Sequence, residues 1–594
     1  MGTYQDVYEG AQSDVTGFWL EAANGIDWVT PPQTALDDSN PPFYRWFSDG
    51  TLNTCFNAVD RHVDAGRGDQ VAIIYDSPIT GNASKMTYGA LQTATARFAG
   101  MLQSLGVEKG DRVIIYMPMI IESIVAMLGC ARLGAVHSVV FGGFAAAELA
   151  TRIDDAKPKA IISASCGHEP GRIVAYKPLL DEAIEIAVHK PDHCVIYQRE
   201  ALAADLVAGR DLEWHAAHEN VPELAPVTVK ATDSLYILYT SGTTGQPKGV
   251  VRDNGGHAVA LAWSMPNIYA TGPGDVYWAA SDIGWVVGHS YIVYAPLLAG
   301  CTTVLFEGKP VGTPDAGVFW RIISEHKVKV LFTAPTAFRA IKRADPDADF
   351  LDEYDTSSLE YLFLAGERAD PDTIIWAQDK LNVPVIDHWW QTETGWPMCA
   401  NPVGIEQLPI KLGSPSVPMP GYEIDILDEE GSVKAPDELG SIAVRLPMPP
   451  ACLPTVWGAD AAFVEKYLTT FPGHYETGDA GYKDADGYLY IMARTDDVIN
   501  VAGHRLSTGQ LEEVLAEHPD VAECAVIGVA DQLKGQLPLG LICLYPKSTK
   551  PVEQVCAEAI DLVKTRVGRV SAFNLVAKID RLPKTRSGKV LRAT

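Results

Sequence analysis

Residues 234–249 read SLYILYTSGTTGQPKG, and this stretch decides the fold. Leu235 to Tyr239 is a short apolar, aromatic-rich run of strand character. It breaks into a loop with three glycines (Gly242, Gly245, Gly249), four hydroxyls (Thr240, Ser241, Thr243, Thr244) and one cation, Lys248. Glycines let backbone N–H groups turn inward and approach a phosphate with no Cβ in the way. The hydroxyls add donors, and Lys248 adds a point charge. The loop is not the G-x-x-x-x-G-K-[ST] phosphate loop, because no Lys-Ser or Lys-Thr follows a glycine at that spacing. A glycine-rich surface loop is the plain alternative, and the density of donors directly after a strand outweighs it.

On both sides of this loop the chain alternates between helical and strand patterns. Tyr88 to Leu105 places Ala94, Phe98, Met101, Leu102 and Leu105 at helical spacing, and Asp111 to Met117 holds an apolar run. Ile120 to Leu133 reads as helix, His137 to Val140 as strand, Ala145 to Asp155 as helix and Ala160 to Ser163 as strand. After the loop come strand-like runs at Val276–Ala280, Thr302–Phe306 and Val328–Phe332. Such alternation predicts an α/β fold with a mainly parallel, helix-covered sheet and right-handed connections. Residues 1–60, rich in aromatics and prolines, read as an irregular N-terminal arm. Residues 61–401 read as α/β subdomains. Residues 402–495, with many prolines and short β-type runs at Glu423–Leu427 and Ser441–Leu446, read as a β-rich subdomain. Residues 496–594 read as a small α/β C-terminal domain. In it Ser507 and Gln510 have capping-box spacing, Leu511, Val514 and Leu515 form a helix face, and Val521 to Val529 alternates like a strand.

The totals narrow the function. At 594 residues the chain is too long for one core. A net charge of −28 argues against broad nucleic-acid binding and against an anionic membrane surface, while leaving room for a local basic pocket. Ten scattered cysteines without a C-x-x-C pair fit reduced thiols in a cytoplasm better than a disulfide framework or a zinc site. No secretory signal and no apolar run of membrane-spanning length is visible.

Four further stretches carry chemistry-bearing residues: Leu364-Ala365-Gly366-Glu367-Arg368; Asp387-His388-Trp389-Trp390-Gln391-Thr392-Glu393-Thr394-Gly395; Tyr475-Glu476-Thr477-Gly478-Asp479; and Arg494, Asp496 and Gly503-His504-Arg505, followed by Lys584-Thr585-Arg586-Ser587-Gly588-Lys589. Taken singly, each has a plain reading. Asp479 sits in a turn pattern, Arg494 and Arg505 are surface charges, Trp389 and Trp390 are core, Glu393 starts a helix and Lys589 is a solvated tail. Taken together, in this order, they resemble the adenylate-forming acyl-CoA synthetases of the ANL superfamily. The resemblance spans essentially the whole chain and is closest to the short-chain branch, the acetyl-CoA and propionyl-CoA synthetases.

The resemblance implies ATP-dependent ligation of a short-chain carboxylic acid to CoA through an acyl-adenylate, releasing pyrophosphate and AMP. Two anions must meet, so positive charge and donors are needed where charge develops. By resemblance, Thr240, Ser241, Gly242, Thr243, Thr244, Gly245 and Lys248 hold phosphates, and Glu393 helps hold Mg²⁺, a hard cation that prefers oxygen ligands. Thr392 and Gln391 position phosphate and acyl groups. Gly366, Glu367, Arg368, Asp387, His388, Trp389 and Trp390 complete the nucleotide site, with Asp479 on the ribose and Arg494 and Arg505 beside ribose and phosphates. Lys589 is the implied catalytic lysine, its ammonium between the attacking carboxylate oxygen and the α-phosphate. Its acylation by a lysine acyltransferase, reversed by a deacylase, would switch the enzyme off. Asp496 is the implied hinge of a mobile C-terminal domain. Gly142, Gly143 and Arg172, with Ala502, Gly503 and Lys564, match the CoA region. Glu169 stands where acetyl-CoA synthetases often carry arginine, and Lys564 where they carry another.

The implied acyl pocket reads Val286, Val287, Ala365 and Trp390. Tryptophan closes it to longer chains. Acetate-specific relatives commonly carry threonine at the position of Val287 and valine at that of Ala365, so this pocket is roomier and more apolar and favours propionate, with acetate secondary. Acrylate or 3-hydroxypropionate also fits sterically. A carrier-loading adenylation module and a non-catalytic nucleotide-binding relative are the competing readings. Relatives run on past Thr594, so a piece of a longer chain, or a module with fusion partners beyond it, is also an expectation.

Overall fold

A computed structural model describes residues 2–142, 144–240, 248–367, 369–495, 499–501, 504–506, 508–531, 535–545, 548–567, 572–584 and 590. They form two compact units. The first is Met1–Ile410 with Pro418–Tyr422 and Leu446–Lys466, and the second is Lys411–Val417, Glu423–Arg445 and Tyr467–Thr594.

Among the described residues the first unit holds two seven-stranded sheets of like design. One runs Asp211–Glu213, His193–Tyr197, Ala160–Ala164, Arg112–Tyr116, Val136–Val139, Ser234–Thr240, Lys248–Asp253. The other runs Val385–Asp387, Tyr361–Leu364, Val330–Thr333, Val276–Ala279, Thr302–Phe306, Val71–Ser77, Asn82–Thr87. Each is parallel except for its last pair, an antiparallel hairpin at the edge. Strands such as Ala160–Ala164 and Val136–Val139 are buried along their whole length, as a sheet covered on both faces requires. The expected alternation is thus the observed one. Helix Tyr88–Ser104 starts where the Thr87 side chain accepts the Ala90 N–H. Helix Ile121–Leu133 ends on Gly134 at φ 79°, a left-handed cap. Every residue from Ser123 to Leu133 is buried, so this helix is apolar on all sides and lies inside the unit.

A buried π-helix, Gly288–Tyr294, continues as Ala295–Leu298 and is bonded to both sheets. Tyr294 Oη lies 2.6 Å from His137 Nε2 in the first sheet, and Thr303 Oγ1 in the second donates to the Ile292 carbonyl at 2.7 Å. The carbonyls at the helix end accept from Arg61 (at Leu298) and from His62 (at Leu297).

The N-terminal arm departs from the irregular chain expected of it. It forms helices Tyr4–Ser13 and Val15–Ala23. Thr3 and Asp6 make a reciprocal capping box on the first, and Asp14 caps the second through the Gly17 N–H. These local caps fix the two helices, and the aromatics then bury them. Trp19 is fully buried, packing edge-on against Trp46, Trp263 and Trp396 at 5.8–6.2 Å.

The second unit contains a four-stranded antiparallel sheet, Ile424–Leu427, Gly440–Arg445, His474–Lys483 and Leu489–Arg494. It also contains a five-stranded sheet of His504–Leu506, Ile499–Val501, Gly535–Leu544, Val521–Asp531 and Leu575–Lys578. The latter is covered by helices Thr508–Ala516 and Val552–Arg566, whose Leu511, Leu515, Ala559 and Val563 share a core with Phe573. Ser507 lies outside the described residues. The fold class is α/β, with a large parallel-sheet portion and a smaller C-terminal domain.

Candidate active site

In the first unit several of the described candidate residues lie at the carboxyl ends of parallel strands, where open α/β sheets bind ligands. Thr240 ends Ser234–Thr240, Ala365 and Gly366 follow Tyr361–Leu364, and Asp387 ends Val385–Asp387. Gly142 lies just past Val136–Val139, and Val286 and Val287 follow Val276–Ala279.

The glycine-rich loop closes a hairpin: Thr240 faces Lys248 in register at its mouth. Ser241, Gly242, Thr243, Thr244 and Gly245 lie outside the described residues. Partial burial lowers the pKa of Lys248, and the like charge of Lys466 adds to the effect, while the carboxylates of Glu393 and Glu465 oppose it. Lys248 therefore lies within electrostatic reach of Lys466, Glu393 and Glu465. Lys466, on helix Asp460–Tyr467, escaped the sequence reading because no motif surrounds it.

Residues 391–395 form a compact turn. The Gln391 N–H donates to Thr394 Oγ1 at 3.1 Å, the Gly395 N–H donates to the Gln391 carbonyl at 3.1 Å, and Gly395 takes φ 76°. The Glu393 carbonyl accepts the Leu453 N–H at 2.8 Å, and Ser290 Oγ on the π-helix donates to the Gly395 carbonyl at 2.6 Å. Gln391, Thr392 and Glu393 are half-buried. The Thr394 hydroxyl is spent inside the turn; the half-buried Glu393 carboxylate suits Mg²⁺, which commonly takes one or two protein carboxylates and completes its shell with phosphates and water.

Trp390 packs edge-on against Tyr291 at 5.5 Å and tilted against Phe332 at 6.2 Å, and its indole N–H finds no acceptor among the described residues. Val287 is the N-cap residue of the π-helix that carries Tyr291, and Val286 precedes it. Ala365 is buried, its N–H donating to the Thr333 carbonyl at 3.2 Å. Tyr291 and Phe332, which back the tryptophan, were not found from sequence, since neither lies in a motif. Phe141 stacks on Trp285 at 5.4 Å, so the Phe141-Gly142 segment abuts the valine pair.

His388 is fully enclosed. Its Nδ1–H donates to the Leu364 carbonyl at 2.7 Å and its Nε2 accepts from Tyr269 Oη at 3.0 Å. Burial pushes its pKa down to about 4, so the ring is neutral. With both nitrogens engaged, His388 locks two strand ends together and has no ring nitrogen left to hydrogen-bond a nucleotide. Trp389 bridges to Cys399, and Asp387 is buried. Glu367 pairs with Arg339, which also reaches Asp370 at 3.2 Å. Gly366 sits at φ 102°, open to space on its Cβ side. Arg368 and Gly143 lie outside the described residues.

Arg172 is exposed and paired with Glu169 at 2.8 Å across a two-stranded hairpin. An anion at Arg172 must therefore compete with the Glu169 carboxylate. An exposed pair of this kind is worth about 0–1 kcal/mol.

In the second unit Asp479 and Arg494 are cross-strand partners. Arg494 Nη1 donates to Asp479 Oδ1 at 3.3 Å and to the Thr477 carbonyl at 3.1 Å. Gly478 at φ 70° brings the backbone against that guanidinium. Lys564 lies on helix Val552–Arg566, and Arg505 in strand His504–Leu506. Asp496, Ala502, Gly503 and Lys589 lie outside the described residues.

The AMP-binding enzyme family matches residues 59–449, the acetyl-coenzyme A synthetase N-terminus residues 4–58, and the AMP-binding enzyme C-terminal domain residues 510–589. The acyl-CoA synthetase short-chain family member 3, mitochondrial, of Rattus norvegicus is 49% identical over 602 residues, covering 100% of this chain and 87% of its own. The propionate--CoA ligase of Escherichia coli (strain K12) is 46% identical over 602 residues, covering 100% and 95%. Among solved structures, acetoacetyl-CoA synthetase from Streptomyces lividans superposes with a TM-score of 0.90 at 23% identity, over 100% of this chain and 89% of that one, a likeness of fold. With one family match over more than half its length and close relatives along all of it, the chain belongs to the AMP-binding enzymes of the adenylate-forming superfamily, in the branch of the short-chain acyl-CoA synthetases, and is an AMP-forming CoA ligase.

Proposed function

We propose that the acid is propionate, with acetate a poorer substrate, and that the residues named above divide the work as follows. A carboxylate oxygen of the acid attacks the α-phosphorus of ATP, and the bond to pyrophosphate breaks. Thr240 to Gly245 and Lys248 neutralise the polyphosphate. The convergence of Lys248 and Lys466 supports this reading, because an anion there relieves their mutual repulsion. Glu393 holds Mg²⁺, which supplies charge neutralisation on the phosphates, and Thr392 and Gln391 orient the reacting oxygens. Lys589 places its ammonium between the carboxylate and the α-phosphate. After rotation at Asp496 the CoA sulfur attacks the acyl carbon and AMP leaves, the pantetheine chain passing Ala502 and Gly503. The roles follow the division at 1–60, 61–401, 402–495 and 496–594. Control by acylation of Lys589 and a cytoplasmic location belong to the same proposal. Among the described residues no helix is long and apolar enough to cross a membrane.

One observation supports the choice of acid: Trp390 is backed by Tyr291 and Phe332, and Tyr291 rides on the π-helix that begins after Val287, so we read Trp390, with the small Ala365 and the apolar Val286 and Val287, as the closed wall of the acyl pocket. Such a wall stops longer chains, and the absence of a hydroxyl at Val287 leaves nothing to solvate beside a methyl group. The test is AMP formation from ATP, Mg²⁺ and CoA with each acid. Propionate is expected ahead by about tenfold in kcat/KM, within what one methylene supplies. Acetate ahead would overturn the choice of acid, and AMP with neither acid would send the search to other small carboxylic acids.

A further inference from the structure

Arg252 lies on strand Lys248–Asp253, four residues beyond Lys248, and its side chain is fully buried. Strand alternation puts residues 248, 250 and 252 on one face. Its Nη1 donates to the Glu393 carbonyl at 3.0 Å and to the Ala451 carbonyl, Nη2 donates to the Thr392 carbonyl, and Nε donates to Tyr236 Oη at 3.2 Å. The guanidinium also sits 5.7 Å from the Tyr236 ring centroid. Gly395 is open for it: a Cβ there would fall 2.9 Å from the guanidinium carbon.

This is an expensive way to hold a turn. A buried cation bonded to neutral carbonyls loses its water without gaining a carboxylate in hydrogen-bond contact. The planar fork offers something an apolar residue does not, namely two successive carbonyls, Thr392 and Glu393, fixed in direction at once. Fixing those carbonyls fixes the backbone torsions from which the Thr392 and Glu393 side chains project. The same strand face carries Lys248, which is electrostatically coupled to Glu393. Strand, phosphate-loop lysine and carboxylate turn are thereby one rigid part.

We propose that Arg252 is a positioning residue for adenylation: it clamps the 391–395 turn to the strand of Lys248, so that Thr392 and Glu393 meet the phosphates in one geometry. The proposal rests on the reading of this turn as part of the ATP site. Displacement of a turn by about 1 Å is enough to cost on the order of 100-fold in rate.

The test compares Arg252→Lys with wild type in two assays: ATP–pyrophosphate exchange with propionate, which reads adenylation, and thioester formation from supplied propionyl-adenylate and CoA. Lysine keeps the charge and loses the fork. The expected result is a loss of about 10- to 100-fold in exchange with a raised KM for ATP, less than about threefold in thioester formation, and an unchanged folded spectrum. Gly395→Ala attacks the same contact from the other side and should give the same split, which keeps the test open if Arg252→Lys folds poorly. Equal losses in both steps, or wild-type exchange in folded Arg252→Lys, would overturn the clamp. Glu393→Gln, titrated with Mg²⁺ in parallel, reads the metal role alone. An unchanged Mg²⁺ requirement there removes that role, whereas the clamp is judged by the ratio of the two steps.

Discussion

At the scale of single residues, Ala365 is the most informative position in the proposed acyl pocket. It follows strand Tyr361–Leu364, its backbone is pinned to Thr333, and it is buried. Ala365→Val adds two methyl groups to a wall that has no freedom to retreat. The variant should lose about tenfold in kcat/KM for propionate relative to acetate, within the 1–3 kcal/mol that one methylene commands. Competition assays with both acids read the ratio directly, and an unchanged ratio would mean that Ala365 does not bound the acyl chain. Of the residues proposed for this pocket, Ala365 and Trp390 stand in the motifs Leu364–Arg368 and Asp387–Gly395, whereas Val286 and Val287 stand in no motif and come only from the family resemblance. Direction was not legible. His388 stands in the same motif as Trp390, yet its ring turns inward between Leu364 and Tyr269 while Trp390 leans on Tyr291. Arg252 and Lys466 were missed for a related reason: their partners are set by tertiary packing, and no local pattern announces it.

At the scale of elements, continuous apolar strands and well-capped helices were the easy part, since a buried parallel strand and an all-round apolar helix have few other readings. The π-helix Gly288–Tyr294 had no such signal. Its seven residues are too few for a period to show, and π-turns gather where function constrains the backbone. Here the constraint is visible. The segment begins after Val287 of the proposed acyl wall, supplies Tyr291 behind Trp390 and reaches the 391–395 turn through Ser290. Ser290 and Thr394 are fully buried, so the Gly395 carbonyl that Ser290 satisfies has poor access to water. Ser290→Ala leaves that acceptor unsatisfied and should destabilise the protein by about 1–3 kcal/mol. Differential scanning calorimetry against wild type reads the loss. A melting temperature within one degree of wild type would show that the tether contributes nothing. The two N-terminal helices teach the opposite lesson. Their caps, Thr3 with Asp6 and Asp14, are plain in the sequence, and the aromatics and prolines that follow drew the reading toward an irregular arm.

At the scale of the whole molecule, the buried histidines govern how stability depends on pH. His62, His289 and His388 are each lowered from the ordinary 6.5 to about 4, with burial the leading cause in all three. Burial pushes His137 and His257 further down. Each ring stays neutral in the folded protein while it takes up a proton in the unfolded chain. Between pH 6.5 and about 4 the unfolded state therefore binds more protons, so this part of the stability is complete above pH 6.5 and is lost as pH falls. Asp253 works the other way. It is fully buried, accepts the His257 N–H at 3.2 Å, and burial raises its pKa from 3.8 to about 7. Its contribution is complete below pH 3.8 and is lost as pH rises through 7. The histidines outnumber it, so the melting temperature should fall steeply from pH 6.5 toward 4, each net proton contributing about 1.4 kcal/mol per pH unit. Burial also raises Asp282 and Glu122, which oppose the histidines in the same sense; Asp253→Asn removes one opposing group and keeps the acceptor for His257. The variant should melt higher than wild type at pH 8, match it near pH 4, and show the steeper acid fall of the two. Parallel curves for the two proteins across that range would mean that Asp253 titrates as an ordinary carboxylate and that its buried position is solvated by neighbours such as Arg252.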